Sequence, residues 1–140
     1  MEQETQRKVV EFSMLEEENK KLEQYLQSVE QQMMAFHALK ENVNEISKHK
    51  GEILASVGPG VFIKSELKSK KVLVNVGEGI VIEKESKDAE KVIEKQVKKL
   101  EEAKEEIEKA ISINFDLMIK IENDLRKLIE KNGKKDSRNN

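Results

Sequence analysis

The helix-breaking residues of this chain are gathered in one place, and that constrains its fold more than any other feature. The single proline, Pro59, and every glycine except Gly133 lie between Gly51 and Gly79. Gly and Pro are the residues a helix interior tolerates least. The flanks, 1–48 and 87–132, therefore read as two long helices of nearly equal length, each roughly 70 Å at 1.5 Å per residue. Their near-equality points to a hairpin in which one arm returns along the other.

Composition agrees with that outline. Charged residues make up 39% of the 140 and aromatics 4%, whereas an ordinary globular chain carries about 25% charged residues. Solvated helices follow, and a large spherical core does not. A formal net charge of −2 leaves no sustained basic field to displace counterions from nucleic acid. The absence of cysteine removes disulfides and thiolate metal sites. Residues Met1 to Lys8 are charged, unlike a signal peptide, and no run of about 18 apolar residues occurs. The expected location is the cytoplasm.

The first arm carries a heptad seam at 3,4 spacing: Phe12, Leu15, Asn19, Leu22, Leu26, Val29, Met33, Phe36, Lys40 and Val43. In the second arm the same spacing runs from Ala89 and Ile93 through Gln96, Leu100, Ala103, Ile107, Ala110, Asn114, Leu117, Ile121 and Asp124 to Leu128. Such stripes bury themselves against one another in a coiled coil. Setting large side chains on smaller ones pairs Leu26 with Ala110, Met33 with Ala103, Phe36 with Leu100 and Val43 with Ile93. Lys40 then faces Gln96, and Asn19 and Asn114 fall in adjacent layers. Buried amides bonded across the seam would fix its register; the alternative is that polar residues are merely tolerated near solvent.

Between the arms the period changes from 3.5 to 2. Glu52–Val57, Val61–Leu67, Val72–Val76 and Ile80–Lys84 read as four short strands in two β-hairpins, turned by Gly58-Pro59-Gly60 and Gly77-Glu78-Gly79. The set Val72, Val74, Val76, Ile80 and Ile82 is wholly β-branched, while Leu54, Phe62, Leu73 and Val81 add further apolar positions. Hairpins this short cannot cover both faces or their own edges. The fold expected is thus mainly α with a small β insert: a long antiparallel two-helix coiled coil with two central β-hairpins that form a β-barrel on oligomerisation. Residues expected to carry assembly are Val57, Val61, Ile63, Val72, Val74, Val76, Ile80 and Ile82.

This arrangement, with V-G-P-G-V-F-I-K-S-E-L (Val57 to Leu67) and K-V-L-V-N-V-G-E-G-I-V-I-E-K (Lys71 to Lys84), resembles the α class of prefoldin subunits over essentially the whole chain. The specific part is the double hairpin, since the β class carries one. The sequence departs from the family at Ala55-Ser56, where proline is frequent, and at Ile80, where an aromatic often follows the turn. The resemblance implies one domain: an N-terminal coiled-coil helix (1–48), hairpins for oligomerisation (52–84), a C-terminal helix (87–132) and a disordered tail (133–140). It implies a hetero-hexamer of two α-type and four β-class prefoldin subunits, an ATP-independent holdase that passes unfolded polypeptide clients to a group II chaperonin. No cofactor, metal, nucleic-acid or membrane partner is implied. The chain also lacks a G-x-x-x-x-G-K-[ST] loop, and Gly77-x-Gly79 falls short of a dinucleotide fingerprint.

Both termini fall at the end of the arms away from the strands, where the assumed register sets Phe12 on Asp124 and Lys8 on Leu128. A closed two-helix seam cannot bury all the apolar residues there. Val9, Val10, Phe12, Met14, Met118, Leu125, Leu128 and Ile129 are the expected client-binding residues, an apolar patch rimmed by charge, with Met adaptable to varied partners. The plainer reading is that they pack on each other as a frayed continuation of the core. For the tail, solubilisation competes with attraction of acidic surfaces by Lys134, Lys135 and Arg138.

Catalysis finds no footing. His37 and His49 stand twelve residues apart outside any H-E-x-x-H pattern. Glu101, Glu102, Glu105 and Glu106, interleaved with Lys98, Lys99, Lys104 and Lys109, form a solvated helix face of ion pairs. Two other functions fit the same residues: a divergent self-assembling α-type prefoldin, and a structural coiled-coil tether.

Overall fold

The computed structural model describes residues Glu2–Asn139, with side chains described through Lys134. In chain order the elements are α1 (Glu2–Lys48), β1 (Glu52–Gly58), β2 (Val61–Glu66), β3 (Val72–Gly77), β4 (Ile80–Lys84) and α2 (Ser86–Asn139). The chain is mainly α: two long antiparallel helices with two β-hairpins between them. Helix α2 continues through Gly133 to Asn139, beyond the boundary at Asn132 read from the sequence. The side chains of 135–140 lie outside the described residues, and with them Lys135 and Arg138.

Two compact units divide the chain, one formed by the residues up to Gln31 and from Glu102 onward, the other by Gln32–Glu101. In the first unit α1 turns Phe12, Leu15, Asn19, Leu22, Leu26 and Val29 inward, on the 3,4 spacing expected. The α2 side of the seam differs from expectation. Ala103, Ile107, Ala110, Asn114, Ile121 and Leu128 keep their inward positions, but Ile111, Met118 and Leu125 join them. Leu117, assigned to the seam, is 45% exposed, and Met118, assigned to the open surface, is 9% exposed.

The register explains the change. Asn114 Nδ2 donates to Asn19 Oδ1 at 2.9 Å, so Asn19 faces Asn114 directly, where the large-on-small pairing would have set it against Leu117. Lys8 meets Asp124 at 3.1 Å in place of Leu128. Each of these polar residues would otherwise have faced an apolar layer. An unpaired buried polar group costs about 1–3 kcal/mol, more than a modest mismatch of side-chain volume does. The observed register brings polar groups together rather than setting large side chains on small ones. Lys104 reaches Glu30 at 3.6 Å in the same unit.

In the second unit the seam closes on Val43, Ala89, Ile93 and Val97, with Phe36 packed against them. Val97 again takes the place expected of its neighbour, Gln96, which is exposed. Lys40 bonds Glu94 at 2.9 Å instead of lying opposite Gln96. This contact holds the Lys40 ammonium above its ordinary pKa, through the hydrogen bond first and the carboxylate's charge second. The Glu94 carboxyl is held below its own ordinary range for the reciprocal reason.

The strands pair as two separate antiparallel sheets, β1 with β2 and β3 with β4. Pro59 and Gly60 turn the first hairpin, with Gly60 at φ 72°, as a Pro-Gly turn requires. The second closes on Glu78 and Gly79, both left-handed at φ 53° and 75°, so its two-residue loop has the type I′ form that suits a twisted hairpin. A bulge precedes it between Asn75 and Gly77, where the Gly77 N–H donates to Asn75 Oδ1 at 2.9 Å.

Candidate assembly and client-binding surfaces

The hairpins expose apolar side chains on both faces. In the second hairpin Val74 lies opposite Ile82 on one face, while Asn75 lies opposite Val81 and Leu73 opposite Glu83 on the other. Val76, Ile80, Ile82, Leu73 and Val81 are all exposed, Leu73 at 69%. In the first hairpin Val57, Val61 and Ile63 are exposed, as are Leu54 and Phe62. Val72 and Val74 behave differently, for they are half-buried and pack on the Val43, Ala89, Ile93 and Val97 cluster of their own chain. One face of β3 is thus partly covered from within.

Exposed β-branched strands with open edges invite pairing with another chain. The sequence reading had marked most of these positions through period-2 alternation. Leu54, Phe62, Leu73 and Val81, apolar positions outside the expected assembly set, are as open as the rest.

A second apolar surface lies in the other unit, near the ends of the two helices. Val9, Val10, Met14 and Ile129 are exposed, while Phe12, Leu125 and Leu128 are half-buried along the seam. Met118 is withdrawn into the seam, so it cannot contribute to an open surface; Leu117 stands in its place. An open groove of about 560 Å³ is lined by the apolar Met14, Leu15, Leu117 and Ile121 together with the charged Lys8, Glu11, Glu18, Lys120 and Asp124. Such a groove can take apolar segments of varied shape, since Met adapts and the charged lining carries both signs. Among the described residues no three His, Asp or Glu side chains gather as a metal site, and no helix is long and apolar enough to cross a membrane.

These features define a class: a mainly α chain whose two antiparallel helices carry a double β-hairpin with uncovered apolar strands. The family model described as Prefoldin subunit matches residues 15–131, and the chain belongs to that family. Its two hairpins fit the α class. The fold is shared with a chain in the cryo-EM structure of filamentous PFD from Methanocaldococcus jannaschii, at 23% identity and a TM-score of 0.50, over 91% of this chain and 99% of that one. No curated protein matches the chain. Family membership carries a non-enzymatic chaperone role.

Proposed function

We propose that this chain is the α-class subunit of an ATP-independent holdase, joined through its hairpins to β-class prefoldin subunits in a complex of two α-type and four β-type chains. The helix ends that carry Val9, Val10, Met14, Leu117 and Ile129 would hold unfolded polypeptides, and the cytoplasmic complex would pass them to a group II chaperonin. The observation that carries this reading is that each unit leaves its own apolar surface uncovered, strands in one and helix ends in the other. A tether would need only the first. Asn19 and Asn114 take the register-fixing role in this proposal, supported by their direct bond.

The test is suppression of aggregation of a chemically denatured protein, without nucleotide, by the chain assembled with a β-class subunit. Val9→Ser, Val10→Ser, Met14→Ser and Ile129→Ser together should leave assembly intact, because these side chains lie outside the seam. Each apolar side chain covered by a client contributes roughly 1.5–3 kcal/mol, and several helix pairs act on one client, so losses multiply through effective concentration. Suppression should fall severalfold or more. A parent complex that suppresses nothing contradicts the holdase reading, and a variant as effective as the parent moves the grip elsewhere.

Self-assembly is the second reading. The uncovered strands of one copy could pair with those of another, and one solved structure with this fold is of a filamentous PFD. A homopolymer whose mass ignores an added β-class subunit would favour it.

A further inference from the structure

Ser86 opens α2, and a serine there would ordinarily cap the helix by accepting a hydrogen bond from a backbone N–H two or three residues on. The geometry is different. The Ala89 N–H donates to the Glu85 carbonyl at 3.0 Å, which makes Glu85 the cap and places Ser86 inside the first turn. The residue as a whole is only 6% exposed. The hydroxyl donates to the carbonyl of Lys70 at 2.8 Å, sixteen residues back, in the connector between the two hairpins.

Neighbouring contacts converge on the same junction. The Lys71 ammonium lies 3.9 Å from the Glu85 carboxylate, and the Lys71 N–H donates to Ser69 Oγ at 3.1 Å, which turns the connector into β3. Val72 and Val74 follow at once and pack on the cluster that includes Ala89, three residues beyond Ser86. The Lys71–Glu85 contact is long and exposed, so it contributes little. The buried hydroxyl is the directional element.

We propose that Ser86 is a positioning residue for assembly: its bond to Lys70 seats the second hairpin on the start of α2, so that Val76, Ile80 and Val81 are presented in a fixed orientation to a neighbouring subunit. The inference rests on the reading that the hairpins carry assembly. Removing the bond leaves the helices and the Val72 and Val74 packing in place but loosens the connector, so the β3–β4 hairpin keeps its seat and loses part of its fixed orientation. Association then bears the ordering cost that the latch had already met.

The experiment compares the parent with Ser86→Ala, Ser86→Thr and Ile80→Asp, each titrated with a β-class prefoldin subunit and followed by light scattering. Helical circular dichroism and amide hydrogen exchange of the unassembled chains are recorded alongside. Ser86→Ala should raise the assembly midpoint about tenfold, as expected for one hydrogen bond of ordinary strength, and speed exchange at β3–β4 amides with helical signal unchanged. Ser86→Thr, which keeps the hydroxyl, should stay nearer the parent. If Ser86→Ala assembles at the parent's midpoint while Ile80→Asp does not assemble, the latch is wrong. The latch is also wrong if Ser86→Ala loses helical signal along with assembly, since the residue then only supports the helix. An Ile80→Asp chain that assembles normally contradicts the hairpin reading itself.

Discussion

At the residue scale the decisive pair is Asn19 with Asn114, the first 4% exposed. One amide donates to the other, yet the Asn19 Nδ2 group has no partner among the described residues. A half-satisfied buried pair is a poor source of stability and a good source of register. Asn114→Leu alone should destabilise the chain by about 1–3 kcal/mol, because it strands Asn19 entirely. Asn19→Leu with Asn114→Leu should instead melt higher than the parent and allow the helices to slip. Thermal melting of the single and double variants, treated as a cycle, checks both statements. A double variant that melts at the parent's temperature with unaltered helix pairing contradicts the register role.

At the scale of elements, the Lys40–Glu94 contact makes a pH prediction. Glu94 has a lowered folded pKa, so its contribution is complete above the ordinary carboxylate range and is lost as pH falls through the lowered value. Lys40 has a raised one, so its contribution is complete below the ordinary lysine range and is lost as pH rises through the raised value. The melting difference between the parent and Glu94→Gln should thus be small, largest near neutrality, and absent in strong acid or high salt. A difference that persists unchanged from acid to neutral would contradict it.

The elements also show what the sequence could and could not reveal. Breaker placement and the switch in period made α1, the start of α2 and all four strands legible within a residue or two, whereas the end of α2 was not, since Gly133 reads as a stop and the helix continues through it to Asn139. The α1 seam was legible because its apolar spacing admits one frame. The α2 seam admits two that share Ile93, Leu100, Ile107, Asn114, Ile121 and Leu128. Gln96, Ala103, Ala110, Leu117 and Asp124 complete one frame; Val97, Lys104, Ile111, Met118 and Leu125 complete the other. The second is bulkier and more apolar, a signal present in the sequence that size pairing with α1 overrode. The left-handed Glu78 was hidden, since glutamate carries no mark of positive φ as Asn or Gly would. The Ser86–Lys70 bond was hidden too, because nothing local distinguishes it from a helix cap.

At the scale of the whole molecule, the hairpins are the part that a single chain cannot complete. Their strands form two separate two-stranded sheets, a size that is marginal alone, and most of their apolar side chains meet solvent. Membership of the prefoldin family implies assembly with other subunits, and a strand variant should show its effect first in the mass of the assembled species. In the function proposed above, these strands are completed by β-class subunits. The most direct test is the native mass of this chain before and after mixing with a β-class prefoldin subunit. A defined six-subunit species with two copies of this chain and four of the partner should form. A mass that does not change on adding the partner would contradict it.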